Sequence, residues 1–169
     1  EEYEGLWTFN VATEDNPLRI SVPTGRTNNF IDNSYGCLTQ EVYDNKVYSM
    51  TSKGIWEFDP VSNSASNVAP YSFGYCHSHI IGDTIYYGGY NPEIGNELRS
   101  YGITNGIDKL VYDIRPGPSS SSSPLYLEAV GTTLYFSAND GTSGTELWQF
   151  DTTAAASSSN PSMVYDINT

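Results

Sequence analysis

His77-Ser78-His79, beside Cys76, is the segment whose residue types are best suited to chemistry. On a strand, residues two apart share a face, so both imidazoles can point the same way. A His-x-His pair ligates zinc or copper when further ligands complete the site. Corresponding strands of neighbouring repeats offer Glu41 and Glu128 for that purpose. Polar residues lining a hydrated channel are the plainer reading of the same side chains, and the weightier one. Cys76 with His77 or His79 is a poor nucleophile–base pair, because no third group is identified to orient the base.

A second set of oxygens belongs to the hairpin loops. Asn139-Asp140-Gly141 and the loop from Asn91 to Glu97 lie between strands, and Asp140 with Glu146 supplies carboxylates that suit calcium. Asp-Gly also recurs in hairpins for backbone reasons alone, and the spacing is not that of an EF-hand. Calcium is thus the one cofactor the sequence suggests, and none is required. Tyr87 and Tyr90 are candidates for an exposed platform against which a glycan ring would stack. Trp7, Trp56 and Trp148 recur at one position of a repeat and read as core packing. Cys37 and Cys76 fall in neighbouring strands, one residue out of register. They form a disulfide if the protein is exterior, or stay as buried thiols. The chain contains no nucleophile elbow, Walker loop, dinucleotide fingerprint or zinc-protease motif, and it is not expected to be an enzyme.

These residues must be positioned by strands. Hydrophobic residues make up 38% of the 169, with 14 Tyr, 15 Gly and 9 Pro, a composition that favours half-buried strands separated by tight turns. The formal charge of −13, with 7 Lys and Arg against 20 Asp and Glu, argues against nucleic acid or an anionic membrane surface as a partner, since both demand clustered Lys and Arg. No run of about 18 apolar residues is present, so no membrane insertion is expected. The sequence shows no basic segment followed by an apolar one, so no signal peptide is expected within it.

Period-two alternation recurs along the chain, and with it an internal repeat. Gly5-Leu6-Trp7-Thr8-Phe9-Asn10 returns as Gly54-Ile55-Trp56-Glu57-Phe58-Asp59, as Glu97-Leu98-Arg99-Ser100-Tyr101-Gly102, and as Glu146-Leu147-Trp148-Gln149-Phe150-Asp151. The steps between copies are 49 residues (7 to 56), 43 (56 to 99) and 49 (99 to 148). Propeller blades repeat at about 40–50 residues. A hairpin precedes each of the last three copies: Val42 to Tyr48, Ile80 to Tyr86 and Ala129 to Tyr135. A closing strand follows, clearest as Leu110-Val111-Tyr112-Asp113-Ile114 and Met163-Val164-Tyr165-Asp166-Ile167.

The expected fold is therefore all-β, built of propeller-type, four-stranded antiparallel blades. A half blade covers 5–23, and full blades cover 34–71, 72–115 and 121–169. That makes about three and a half blades and an incomplete ring within this chain. The serine run Ser119 to Ser123, ending in Pro124, reads as a flexible linker between blades, or as an O-glycosylated patch.

The last repeat resembles a known family. Leu110 to Gly117, the serine run, Thr133-Leu134-Tyr135-Phe136-Ser137-Ala138-Asn139-Asp140-Gly141 and Gly144-Thr145-Glu146-Leu147-Trp148 follow the order of the ELWxxDGT repeat. The likeness covers about residues 108–169. It departs at Asp151-Thr152-Thr153, where the family continues Asp-Gly-Thr. The earlier blades look more like kelch blades, with Gly88-Gly89 closing one strand and Trp56-Glu57-Phe58-Asp59-Pro60 in another. The resemblance implies a tandem-repeat protein that is secreted or exposed at the cell surface.

These features together lead to an extracellular structural or adhesive module that assembles with itself or with neighbouring repeats, into filaments or surface layers. The alternative is a glycan- or calcium-binding propeller acting through loops on one face.

Overall fold

The computed structural model describes residues 39–51, 54–69, 77–153 and 160–167, together with the backbone of two short N-terminal strands. Those two, β1 (Trp7–Thr8) and β2 (Leu18–Arg19), pair antiparallel. Twelve more strands follow in three groups of four. The first is β3 (Thr39–Tyr43), β4 (Lys46–Thr51), β5 (Gly54–Asp59) and β6 (Ser64–Ala69). The second is β7 (Ser78–Ile81), β8 (Thr84–Asn91), β9 (Gly95–Gly102) and β10 (Ile107–Tyr112). The third is β11 (Leu125–Val130), β12 (Thr133–Asn139), β13 (Thr145–Asp151) and β14 (Ser162–Tyr165). Each group is one antiparallel sheet in which every strand pairs with the next along the chain. No helix occurs among the described residues.

Local chemistry explains the hairpins. Each sheet opens with a two-residue turn at Asp44-Asn45, Gly82-Asp83 or Gly131-Thr132. Asp44, Asn45, Gly82 and Gly131 all take positive φ there, a conformation open to Gly and tolerated by Asn and Asp.

The three sheets lie one against the next. Tyr48, Met50 and Ile55 of the first sheet pack with Ile85, Tyr87 and Tyr101 of the second. The opposite face of the second sheet, with Tyr86 and Leu98, packs on Leu134, Phe136, Trp148 and Phe150 of the third. Full burial of each such side chain contributes about 1.5–3 kcal/mol. The middle sheet is covered on both faces, so Asn96 to Ser100 of β9 are buried almost without alternation. β13 of the third sheet, covered on one face, alternates exposed and buried residues along most of its length. At one end of the assembly the first strands run in series, β3 against β7 and β7 against β11.

A structural irregularity repeats with the sheets. In every closing strand the register slips by one residue: Ile55 pairs with Ala69 but Trp56 with Asn67. Likewise Arg99 pairs with Leu110 but Leu98 with Tyr112, and Leu147 pairs with Tyr165 but Trp148 with Met163. The extra residue is a valine each time: Val68, Val111 and Val164. A bulge at one fixed place strengthens the local twist in the same way in each sheet.

Candidate functional site

Polar side chains converge where the three first strands meet. Thr39 Oγ1 sits 3.0 Å from Ser78 Oγ, and the Ser78 hydroxyl reaches Glu41 Oε1 at 3.3 Å. His79 points the other way along the seam, with Nδ1 3.8 Å from Glu128 Oε2. Two residues earlier the His77 ring meets Tyr126, centroid to centroid at 5.0 Å. Both imidazoles thus reach toward β11 and its neighbours, as their spacing leads one to expect. Burial pushes the Glu41 carboxyl above its usual value, while the nearby His79 and the Ser78 hydroxyl pull it back. The seam joins hydroxyls, carboxylates and one imidazole across three sheets. Among the described residues, no three of His, Cys, Asp and Glu converge to hold a metal ion. His77, His79, Asp140 and Glu146 are not gathered into one site.

The loop after β12 engages its carboxylate locally. Asp140 Oδ1 accepts the amides of Thr142 and Ser143, both at 2.8 Å, and Oδ2 accepts the Ser143 hydroxyl at 3.3 Å. Those amides hold its carboxyl down to about 2. Glu146 is buried, and its Oε2 accepts the amide of Ile167 at 2.8 Å.

The expectation of an exposed Tyr87–Tyr90 platform needs correction. Residues three apart on a strand face opposite ways. Tyr90 is exposed at the end of β8, whereas Tyr87 is buried between the first and second sheets. The Tyr87 hydroxyl donates to Asp108 Oδ2. Asp108 also pairs with the Arg99 guanidinium, both side chains being largely buried. Arg99 occupies the repeat position that Trp56 and Trp148 hold in the other sheets. Those two indoles are buried as expected, and Trp148 Nε1 donates to the Ala138 carbonyl at 3.1 Å. Trp7's side chain, Cys37 and Cys76 lie outside the described residues.

The serine run is not a flexible linker. Ser122 is buried, its amide donates to Glu97 Oε1 at 2.7 Å, and its hydroxyl donates to Glu97 Oε2 at 2.5 Å. The same Oε2 accepts the amide of Ile114 at 2.9 Å. Ser121 Oγ accepts the Asn96 amide at 2.9 Å, and Ser123 donates its amide to the Asn96 carbonyl at 3.1 Å. Asn139 in turn donates its amide to the Ser122 carbonyl at 2.9 Å, so the run joins the second sheet to the third. Gly95 makes room for it: φ there is +84°, and a Cβ would overlap the Ser120 carbonyl. Burial pushes the Glu97 carboxyl upward, against the pull of the Ser122 and Ile114 donors.

Glu97 is the residue whose role sequence reasoning missed, although its position carried a signal. It shares a strand face with Arg99 and Tyr101, and Glu146 shares one with Trp148 and Phe150. A carboxylate in line with core aromatics must be buried and must find donors. Both do, and at equivalent places: Glu97 holds the amide of Ile114, and Glu146 that of Ile167.

Compared with known protein families, the chain matches no family model. Compared with curated proteins, it shows no significant similarity.

Proposed function

We propose that the chain is an extracellular structural or adhesive repeat module. Its four-stranded sheets are propeller-type blades, and it assembles with itself or with neighbouring repeats. The observation that carries this reading is the recurrence of one packing unit three times over. Each unit has the same strand order and the same valine bulge, and the middle one packs a face against each of the other two. Repeat architectures are stabilised by such nearest-neighbour interfaces, and they function as extended surfaces more often than as single pockets. The series β3, β7, β11 along one edge supports a blade-like arrangement around that edge. The ELWxxDGT likeness over residues 108–169 supports an exterior location, and the charge of −13 suits it.

The polar seam and the acidic loop support no competing catalytic reading. The seam's hydroxyls and carboxylates bond to one another, and Asp140 is occupied by its own loop. The test is cell fractionation followed by electron microscopy of native material purified without denaturation. Multimeric assemblies in the surface or secreted fraction are expected. Single chains confined to the cell interior would overturn the reading.

A further inference from the structure

We propose that Glu41, His79 and Glu128 form a proton-operated clasp: a proton taken up at His79 fastens the first strands of all three sheets to one another. The clasp lies at the edge where β3, β7 and β11 run in series.

The three residues occupy one repeat position. The opening hairpins align Val42 with Ile80 and with Ala129, so the residues just before them, Glu41, His79 and Glu128, correspond. One position therefore supplies a carboxylate, an imidazole and a carboxylate in turn, on strands that lie side by side. His79 Nδ1 stands 3.8 Å from Glu128 Oε2, an ion-pair distance once the ring carries its proton. Toward the first sheet, Glu41 feels His79 as an attracting charge and Glu128 as a repelling one. Glu41 is also held there by the Ser78 hydroxyl, 3.3 Å from its Oε1. The imidazole of the middle sheet thus lies between carboxylates contributed by both of its neighbours.

Imidazole takes up its proton in the mildly acidic range, where carboxylates are still ionised. Without that proton, two carboxylates repel each other across a neutral ring. With it, a cation lies between them and both seams gain an attraction. The other titratable group facing His79 is Tyr86, its partner on β8. Burial pushes the Tyr86 hydroxyl above its usual value, so it stays neutral across this range. His77, two residues earlier, packs against the Tyr126 ring. Burial also raises the Glu41 carboxyl, and a carboxyl raised by folding contributes less stability as pH rises through its folded value. Both effects make the edge firmer in acid and looser in alkali. The His79 and Glu128 side chains are 30% and 79% exposed, so water screens the pair and keeps the gain small.

The experiment is thermal unfolding of the full chain in low salt, followed by near-UV circular dichroism, at about pH 5.5 and about pH 8, on either side of the imidazole range. Acidification relieves the charge of −13 in every variant, so the difference between variants is the readout. His79→Gln is expected to forfeit about 1–3 °C of the wild-type Tm at the lower pH and to match wild type at the higher. Glu128→Gln should reproduce that pattern, and added salt should erase it. His79→Lys, positively charged at both pH values, is expected to melt above His79→Gln at both. His77→Gln is expected to keep the wild-type dependence on pH. An equal acid gain in wild type and His79→Gln overturns the proposal. So does a His79→Gln loss of the same size at both pH values, which marks a packing role, and so does a His77→Gln variant that loses the acid gain as fully as His79→Gln.

Discussion

Removing the Glu97 carboxylate should cost far more than its place in a strand suggests. The substitution Glu97→Ala leaves the Ile114 amide, the Ser122 amide and the Ser122 hydroxyl without their acceptor. Each buried donor left unsatisfied costs about 1–3 kcal/mol. The hydroxyl can rotate toward the Asn96 carbonyl, 3.5 Å away, and so recover part of its share. The two amides cannot, and the missing side chain adds a small cavity. A total loss of about 3–5 kcal/mol follows, a large part of the 5–15 kcal/mol that holds a typical domain together. Glu97→Gln keeps one acceptor oxygen and turns an NH2 toward a donor, so about 1–3 kcal/mol is expected. The assay is urea unfolding followed by tryptophan fluorescence, with the exposed Glu93→Gln as a control. Hydrogen exchange at Ile114 and Ser122 should accelerate in parallel. A loss under about 1 kcal/mol for Glu97→Ala, with exchange unchanged at both amides, would refute the reasoning.

Three other outcomes follow from the same contacts. Asp108→Ala removes the carboxylate that pairs with the largely buried Arg99 guanidinium and should cost about 3–5 kcal/mol in urea unfolding; a cycle with Arg99→Met should show strong coupling. Gly95→Ala places a Cβ against the Ser120 carbonyl at positive φ and should lower the Tm by roughly 5–10 °C, read by calorimetry. The Asp140 carboxyl, held down to about 2 by its loop amides, has a folded pKa below its usual 3.8. Its contribution to stability is present above that usual value and is lost as pH falls through about 2. Carboxyl NMR should place its midpoint near 2, and a midpoint near the usual value would show that the loop does not hold it.

Much of the architecture was legible before any coordinates, and the reasons are local. The Trp-x-Phe copies, the turn residues at Asp44-Asn45, Gly82 and Gly131, and the spacing of the hairpins each follow from the chain's own chemistry. Recurrence at one repeat position marked Trp56 and Trp148 as core residues, and both are buried. What was misread depends on neighbouring sheets. Tyr87 looked available because tyrosines abound, yet a strand in the middle sheet is covered on both faces and its sequence alone does not say so. The serine run has the composition of a linker, but its order comes from Glu97 and Asn96, more than twenty residues upstream, and from a space that Gly95 leaves open. Serines at positive φ, Ser119 and Ser123, are also invisible to composition. The further ligands that a metal at His77 and His79 would need depend on distances between sheets that periodicity does not set.

The central claim is that these four-stranded sheets are repeats of one unit, packed one against the next. A crystal structure of the chain, purified without denaturation, tests it most directly. The account expects Met50 and Ile55 to pack on Ile85 and Tyr87, and Leu98 on Leu134 and Phe136, with the valine bulge present in all three sheets. A structure in which the three sheets do not pack face against face, or in which the bulge fails to repeat, would contradict it.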